Sequence, residues 1–553
     1  MFSTMQDVPL TVARILEHGS TVHARSTVTT WDVTGPVVRT YAEVGARAAQ
    51  LAHALRDELG VTGDDRVATL MWNNDFHLEA YLAVPSMGAV LHTLNLRLPS
   101  QQLSFIVNHA ADRVVIVNGS VLPLLAAVLP DLAPTLKHVV VAGPGDRSLL
   151  AGFAGGVHDY DELIADRPTD YPWQRDIDER QAAVLCYTSG TTGDPKGVLY
   201  SHRSIYLHCM QVNTGDNFAF TPRDTALPVV PMFHVNAWGI PHAAFMSGAN
   251  LLMPDRFLQP KPMAEMIVAV RPTVSAAVPT IWSGLLDELD AGDYDTSSLR
   301  MVVIGGSACP PSLMKAYDER HGIRVLHAWG MTETSPLGCF AQPPGGLTPE
   351  EEWPYRITQG LFPASVEARL IGPGGERMPH DGVAAGELEV RGPWIAGAYY
   401  GGAGQDPVRP DDKFSEDGWL RTGDMGTITA DGYLTLTDRA KDVIKSGGEW
   451  ISSVELENAL MGHPEVAEAA VVAVPDEKWG ERPLATVVLR PGATAGLREL
   501  RAFLAERIAS WQLPERWAIV ESVPKTSVGK FDKKVIRASY AADELDVATL
   551  GKE

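Results

Sequence analysis

The sequence predicts an α/β protein with a large N-terminal domain and a smaller α+β C-terminal domain. Short apolar segments alternate with segments of helical periodicity from about residue 41 to residue 328, which favours doubly wound sheets. From about residue 357, short strands punctuated by Gly, Pro and Asp replace that pattern. A charged segment at 438–442 precedes a last group of helices and strands, so we predict domains at 1–438 and 439–553.

Composition restricts the class of protein. The chain has 553 residues, too many for one hydrophobic core, with 45% hydrophobic and 21% charged residues, as is typical of globular proteins. Its net charge of −22 disfavours nucleic acid as a partner. Four widely spaced cysteines indicate neither a disulfide framework nor a zinc site. With no secretory signal visible, we expect a cytoplasmic protein.

One uncharged stretch tests for a membrane span. Between Asp224 and Asp255 there is no Asp, Glu, Lys or Arg, but prolines and polar residues interrupt the stretch throughout. A spanning helix tolerates this poorly, so we predict a buried strand, turn, helix and strand and no integral membrane segment.

The α/β pattern occurs twice. In the first region, Val44, Ala48, Leu51 and Leu55 have helical spacing and Gly60 is a plausible stop. The other predicted helices of this region are 77–84 and 101–109, and its strands are 66–71, 90–93, 114–117 and 139–141. In the second region, the predicted strands are 226–230, 250–253, 274–278, 301–304 and 325–328, and the helices are 263–270, 280–289 and 312–319.

A β-rich subdomain and a C-terminal module complete the prediction. The subdomain has strands at 366–371, 386–390 and 433–436, and the module has strands at 469–474 and 484–489 with a helix at 497–509. Ser452 and Glu455 have capping-box spacing before a helix predicted at 454–460.

The glycine-rich segment 186–197 is the first candidate site. An apolar run at 182–185 precedes three Gly, three Thr and one Ser around Lys196. Exposed backbone N–H groups, hydroxyls and a cation suit phosphate oxygens. The segment departs from the Walker pattern, because Pro195 precedes the lysine and Gly197 follows it. An ordinary glycine-rich turn is the alternative.

Four further candidate sites each have a purely structural explanation as an alternative. His234 and Trp238 border the uncharged stretch, although a buried structural histidine is common. Glu333 follows a strand and is suited to holding a Mg²⁺ ion that is bound to phosphate oxygens. The alternative is a glutamate at the start of a helix, where the helix dipole favours it. Asp424 suits two ribose hydroxyls, or a local turn. The basic segment 524–530 suits phosphate, or is an exposed turn.

Together these segments resemble the ordered motifs of the adenylate-forming superfamily. The motifs are YTSGTTGDPKG (187–197), MTETSP (331–336), WLRTGD (419–424), DRAKDVIKSGGEWIS (438–452) and PKTSVGK (524–530). The resemblance covers nearly the whole chain. The segments 89–98, 229–238 and 446–464 look most like bacterial medium- and long-chain fatty acyl-CoA synthetases.

The resemblance implies an ATP-dependent fatty acid–CoA ligase that works in two half-reactions with Mg²⁺. A carboxylate attacks ATP to give an acyl-adenylate and pyrophosphate, and coenzyme A then displaces AMP. The C-terminal domain would rotate between the steps, withdrawing Lys530 and presenting the segment 445–450. The partners implied are a medium- to long-chain fatty acid, ATP and CoA, and a homodimer is compatible with the family.

The resemblance also assigns residues one by one. Catalytic roles fall on Lys530, Glu333, Thr188 and Lys445, and Mg²⁺ falls on Thr188 and Glu333. His234 and Trp238 match the acyl pocket, with Trp238 as the aromatic gate of a fatty-acid tunnel. The nucleotide positions are Thr188, Ser189, Gly190, Thr191, Thr192, Gly193, Lys196, Val235, Trp238, Gly306, His327, Ala328, Trp329, Thr332, Asp424, Arg439, Lys441, Lys445 and Trp450.

Two departures from the family pattern concern the adenine motif. Trp329-Gly330 stands where many relatives have Tyr-Gly, and His327-Ala328 replaces the Gln-Gly of close relatives. An aryl- or other carboxylic acid–CoA ligase stays open as an alternative, as does a non-catalytic nucleotide-binding paralogue. An amino-acid activator is disfavoured, because 231–247 contains no acidic partner for a substrate ammonium.

Overall fold

The computed structural model of the chain describes residues 1, 3–32, 34–188, 194–447, 449–526 and 529–550. Within these ranges it confirms the predicted α/β class. The predicted phosphate-loop residues Ser189, Gly190, Thr191, Thr192 and Gly193 lie outside the described residues.

The first α/β region is a mainly parallel sheet covered on both faces. Its strands, in spatial order, are Gly156–Asp159, His138–Ala142, Val114–Asn118, Arg66–Leu70, Val90–Thr93, Ala182–Tyr187 and Gly197–Ser201, and the last is antiparallel. The helices of this region are Tyr41–His53, Asp75–Ser86, Ser100–Ala110, Leu122–Val128, Tyr160–Ile164 and His202–Val212. Val114 and Ile116 pack in one core and Val115 and Val117 in another, so both faces are buried.

The second α/β region and the β-rich region share one continuous sheet. Its strands, in spatial order, are Glu367–Ile371, Gly386–Arg391, Leu420–Ile428, Tyr433–Arg439, Gly360–Leu361, Leu337–Phe340, Val325–Gly330, Met301–Ile304, Val274–Ala277, Thr225–Pro228, Asn250–Met253, Thr27–Thr30 and Val37–Thr40. The strands are parallel from Val325–Gly330 to Thr27–Thr30 and antiparallel outside that range. The antiparallel region therefore begins at Leu337, earlier than predicted.

Helices flank this second sheet. The α-helices are Val12–Val22, Ile240–Ser247, Pro260–Val270, Pro279–Ala291, Pro311–His321 and Pro349–Arg356. The uncharged stretch folds as predicted into a strand, a turn, a helix and a strand. In the part of the chain that the structure describes, no helix is both long and apolar enough to cross a bilayer.

The C-terminal module is a second body with its own core. Its strands are Glu449–Ile451, Ile444–Ser446, Gly480–Leu489, Arg516–Ile519 and Ala548–Thr549, with Val466–Asp476 also paired to Gly480–Leu489, and its helices are Ser453–Leu460, Leu497–Ala505 and Lys533–Ala541. The Ser452 side chain accepts a hydrogen bond from Glu455 N at 3.1 Å, so the predicted cap is present. The helix predicted at 497–509 ends at Ala505, because the chain turns to pack Ile508 and Leu513 into the core.

Candidate active site

A cavity of about 240 Å³ lies where the ends of two parallel strands meet the C-terminal module. The strands are Met301–Ile304 and Val325–Gly330, and the crevice beyond the carboxyl ends of such strands is the usual ligand site of doubly wound folds. Twelve predicted site residues, from distant parts of the chain, line it. They are Thr188, Lys196, His234, Val235, Trp238, Gly306, Ala328, Trp329, Thr332, Glu333, Arg439 and Lys530.

Thr188 and Lys196 are paired where the chain enters and leaves the glycine-rich segment. Thr188 N donates to Lys196 O at 2.9 Å, and Lys196 N donates to Thr188 Oγ1 at 3.2 Å. The Lys196 ammonium lies 5.0 Å from the centroid of the Tyr399 ring. These contacts hold one hydroxyl and one cation at the same wall of the cavity.

Glu333 is fixed in place by a tyrosine that the sequence did not single out. It lies on a short 3₁₀ turn, Thr332–Thr334, and is 6% exposed. Tyr399 Oη donates to Glu333 Oε1 at 2.6 Å, and Tyr200 Oη donates to Thr332 O at 2.7 Å. Glu333 and Tyr399 thus line the cavity as a hydrogen-bonded pair, together with Thr188.

Asp424 is oriented by Trp329 and Arg439. Trp329 Nε1 donates to Asp424 Oδ2 at 2.8 Å, and Arg439 Nε lies 3.3 Å from Asp424 Oδ1. Asp424 and Arg439 face each other on adjacent antiparallel strands. The tryptophan that departs from the family pattern thus contributes an indole N–H, and its ring lines the cavity.

Glycine lets an indole approach the sheet closely. A Cβ at Gly305 would lie 3.1 Å from Trp238 Cη2 and 2.9 Å from Ala328 O. Trp238 belongs to a segment, Val235–Trp238, whose backbone is left-handed although none of its residues is glycine. A left-handed turn costs roughly 1–2 kcal/mol per such residue, so surrounding contacts must stabilise it.

Lys530 reaches the cavity from the C-terminal module. Its Cε lies 3.6 Å from the position that a Cβ would take at Gly306. Burial, assisted by the nearby Arg439, lowers the pKa of Lys530 to about 8, while Asp424 and Glu333 oppose the shift. Burial, together with Lys530 and Arg97, lowers the pKa of His234 to about 3, so His234 is neutral near pH 7. Lys530 thus faces Glu333 across the domain junction.

Five predicted site residues do not line this cavity, and Asp424, described above, is one of them. His327 lies behind the wall, 3.4 Å from both Ser307 O and the Gln359 amide, and burial lowers its pKa to about 4. Lys441 is in the segment between the two bodies, and burial lowers its pKa. Lys445 and Trp450 are cross-strand neighbours on the C-terminal module, and both are exposed.

The cavity also has lining residues that sequence reasoning missed. These are chiefly Asp194, His208, Val212, Phe218, Phe340, Tyr399, Lys413 and Thr526. Asp194 and Thr526 lie inside motifs already singled out and could have been included. The others lie in segments without a motif, and only the fold brings them together.

Two family models match the chain. The AMP-binding enzyme model matches residues 17–400, and the AMP-binding enzyme C-terminal domain model matches residues 455–530. The chain belongs to the AMP-binding enzyme family.

Individual relatives define its place within that family. The chain is 43% identical to 3-methylmercaptopropionyl-CoA ligase of Ruegeria pomeroyi, covering 98% of this chain and 99% of the relative. It is 43% identical to long-chain-fatty-acid–CoA ligase of Thermus thermophilus, covering 97% of each. The solved anthranilate CoA ligase AuaEII in complex with anthranoyl-AMP matches with a TM-score of 0.85 and 26% identity, covering 98% of this chain and 100% of that one. The protein is accordingly an acyl-CoA ligase.

Proposed function

We propose that the protein is an ATP-dependent fatty acid–CoA ligase, with medium- to long-chain acids favoured. The carboxylate would attack the α-phosphorus of ATP, giving acyl-adenylate and pyrophosphate. The CoA thiol would then attack the acyl carbonyl, giving acyl-CoA, AMP and a proton. One observation carries the proposal: Lys530 and Glu333, from different domains, line the same cavity, whose lining combines polar groups with a set of buried, mainly apolar residues.

The polar part fits the demands of adenylation. Two anions must meet, and negative charge develops at the α-phosphate. Lys530 would neutralise that charge, and Lys196 and the neighbouring glycine-rich segment would hold the leaving pyrophosphate. Asp424, already oriented by Trp329, would accept hydrogen bonds from the ribose, and the Trp329 ring would stack on the adenine.

The residues present also fit a magnesium ion carried by ATP. Mg²⁺ commonly uses one or two carboxylates together with waters and phosphate oxygens. Glu333 supplies a buried carboxylate and Thr188 a hydroxyl at the same cavity. Among the described residues, no group of three or more His, Cys, Asp or Glu side chains is arranged to hold a metal by itself. The ion would neutralise phosphate charge when ATP is bound.

The apolar arm supports an alkyl substrate. We define the arm by the buried residues that line it, namely His208, Val212, Phe218, Val303, Leu337 and Phe340. None of these residues is more than 7% exposed. The Phe218 ring packs on the buried Phe220 at 5.2 Å and on Phe340, which also lines the arm, at 5.6 Å between ring centroids, so this part of the wall is aromatic. Burying an alkyl chain gains about 0.8 kcal/mol per methylene.

A second candidate acid is 3-methylmercaptopropionate. It is favoured by the relative named for its CoA ester and by the aromatic side chains of the arm, since thioether sulfur packs well against rings. An aryl acid is the further alternative within the same superfamily. Lys530, Glu333 and Asp424 are all present, which disfavours a non-catalytic paralogue.

A panel of acids tests the proposal. Pyrophosphate release would be measured with ATP, Mg²⁺ and CoA against saturated acids from acetate to palmitate, 3-methylmercaptopropionate and benzoate. We expect kcat/KM to be highest for a saturated acid of medium or greater length. A maximum at 3-methylmercaptopropionate or benzoate would select an alternative, and no activity with any acid would overturn ligase function.

Location and assembly belong to the same proposal. We expect the ligase to act in the cytoplasm on freely diffusing substrates. A homodimer is compatible with this function, and the mass of the purified protein in solution would decide it.

A further inference from the structure

The cavity wall that carries Val235 and Trp238 is a turn of left-handed helix. The φ angles of Val235, Asn236, Ala237 and Trp238 are 48°, 54°, 47° and 58°. L-residues avoid this conformation, because Cβ crowds the following carbonyl oxygen. Such backbone persists only where the surrounding structure holds it, and it occurs most often at functional sites.

Asn73 holds the chain that leads into this turn. It lies just before the helix Asp75–Ser86 of the first α/β region and is 4% exposed. Its side-chain amide donates to Pro228 O and Val230 O, each at 2.8 Å, and its oxygen accepts from Met232 N at 2.7 Å. One side chain thus satisfies three main-chain groups of the segment 228–232.

Tyr81 holds the turn itself. It lies on the same helix and is fully buried, and its hydroxyl donates to Met232 O and lies 3.2 Å from Asn236 Oδ1. Cys186 Sγ lies 3.5 Å from the same Asn236 oxygen. Since Asn236 is the second residue of the turn, these contacts hold its side chain and, through that side chain, the left-handed turn.

We infer that Asn73 and Tyr81 are positioning residues, which hold the left-handed turn so that Val235 and Trp238 form the cavity wall. Neither Asn73 nor Tyr81 lines the cavity. Their effect reaches it through the turn, which packs Trp238 against Gly305, where a Cβ would lie 3.1 Å from Trp238 Cη2. The first α/β region therefore sets the shape of a wall that belongs to the second.

The consequence for catalysis rests on the proposed function. The resemblance assigns Trp238 to the gate of the acyl pocket as well as to the nucleotide. Loss of the Tyr81 hydroxyl should therefore raise KM for the acid by a larger factor than KM for ATP. A residue that only stabilised the fold would alter the amount of active enzyme without this split between the two constants.

The experiment compares Tyr81→Phe with Tyr317→Phe. Tyr317 is also fully buried and also donates to a main-chain carbonyl, Trp282 O, at 2.6 Å, but it lies outside the cavity. Amide hydrogen exchange of the peptide spanning 229–238 would be measured without substrates, alongside KM for the preferred acid and for ATP. We expect Tyr81→Phe to speed exchange in this peptide on the order of ten-fold, the equivalent of about one hydrogen bond.

Ala237→Gly in the Tyr81→Phe background supplies the rescue. Glycine adopts a left-handed backbone without the Cβ penalty. It should therefore return KM for the acid most of the way to the wild-type value. Unchanged exchange in Tyr81→Phe, an equal increase in Tyr317→Phe, or no rescue by glycine would each overturn the inference. Since exchange needs no turnover, it decides the positioning role even if no acid is activated and the proposed function fails.

Discussion

At the scale of single residues, Lys530 is the side chain on which the proposed chemistry most depends. We expect Lys530→Ala to slow pyrophosphate release by about 10²- to 10³-fold, the usual loss when one preorganised charge partner is removed. CoA attack on a preformed acyl-adenylate should stay largely intact, because the proposed domain rotation withdraws Lys530 in that step. The two half-reactions would be measured separately, with a synthetic acyl-adenylate for the second.

Lys525 provides the matched control for Lys530. It lies on the same basic segment, but it is exposed and paired with Glu468 at 2.5 Å. Lys525→Ala should leave both half-reactions within about two-fold of wild type, since an exposed ion pair contributes little. Equal loss of both half-reactions in Lys530→Ala would contradict the assignment.

The lowered pKa of Lys530 predicts a pH dependence. The cation is the useful form, and the pKa of about 8 means that it is lost as pH rises through 8. The kcat/KM for adenylation, which reports the free enzyme, should therefore be flat below this pH and fall above it. Lys530→Arg should retain its charge and remove this alkaline decline. A decline that persists in Lys530→Arg would assign the titration to another group.

At the scale of elements, the proposed function assigns the length of the acid to the apolar arm. Phe218→Ala removes a ring from the lining of the arm, and each methylene that then fits adds about 0.8 kcal/mol, or roughly four-fold in affinity. We expect the preferred saturated acid to lengthen by about two to four carbons, with kcat/KM for shorter acids reduced. The measurement is the kcat/KM profile across the acid panel.

Two further variants make the test of the arm decisive. Phe218→Ala also leaves a cavity that costs about 3–5 kcal/mol of folding stability, so the milder Val212→Ala should shift the profile in the same direction. Met210 lies on the same helix as Val212, His202–Val212, but it is 52% exposed. Met210→Ala should therefore leave the kcat/KM profile unchanged. A profile unaffected in both arm variants would show that the acyl chain lies elsewhere.

Sequence periodicity predicted those elements whose pattern is local. The strands predicted at 90–93, 250–253 and 301–304 have the observed bounds, since apolar runs of β-branched and long side chains are enough to identify a buried strand. Helix ends were less well predicted, as at Ala505, because packing of later residues decides where the chain turns. The left-handed turn at 235–238 has no local signature, as its non-glycine residues disfavour it.

Motifs predicted the polar half of the site better than the apolar half. Thr188, Glu333 and Lys530 lie in motifs with characteristic composition, and the fold brings all three to one cavity. Tyr399 and Phe218 lie in segments of ordinary composition, so only their spatial proximity identifies them. His327 lies in a motif and was predicted to line the cavity, but it lies behind the cavity wall, next to Ser307 O.

At the scale of the whole molecule, the present domain arrangement fits the adenylation step of the proposed function. Lys530 lines the cavity, whereas Lys445 and Trp450 face away from it. The contacts across the junction include an ion pair of 2.8 Å between Arg490 and Asp287, on the helix Pro279–Ala291. We expect a rotation that brings the segment 445–450 to the cavity to break this pair, because its two members belong to different domains.

Weakening that pair should therefore affect one half-reaction. The side chains of Arg490 and Asp287 are 42% and 59% exposed, so the pair contributes about 0.2–1 kcal/mol. Its loss would change the ratio of the populations of the two domain arrangements by at most about five-fold. We expect Asp287→Asn to slow adenylation by up to that factor and to leave the CoA step unchanged or faster. The effect should fade at high salt, which screens exposed charges.

A matched ion pair inside one domain separates domain orientation from general electrostatics. Arg271 and Asp295 are 2.5 Å apart and 49% and 55% exposed, but both belong to the N-terminal domain. Asp295→Asn removes the same charge without touching the junction, so it should leave the ratio of the two half-reaction rates unchanged. If Asp287→Asn slowed both half-reactions equally, or if Asp295→Asn had the same effect, the junction pair would have no part in setting domain orientation. The size of the ratio change would otherwise measure how far this contact favours the adenylation arrangement.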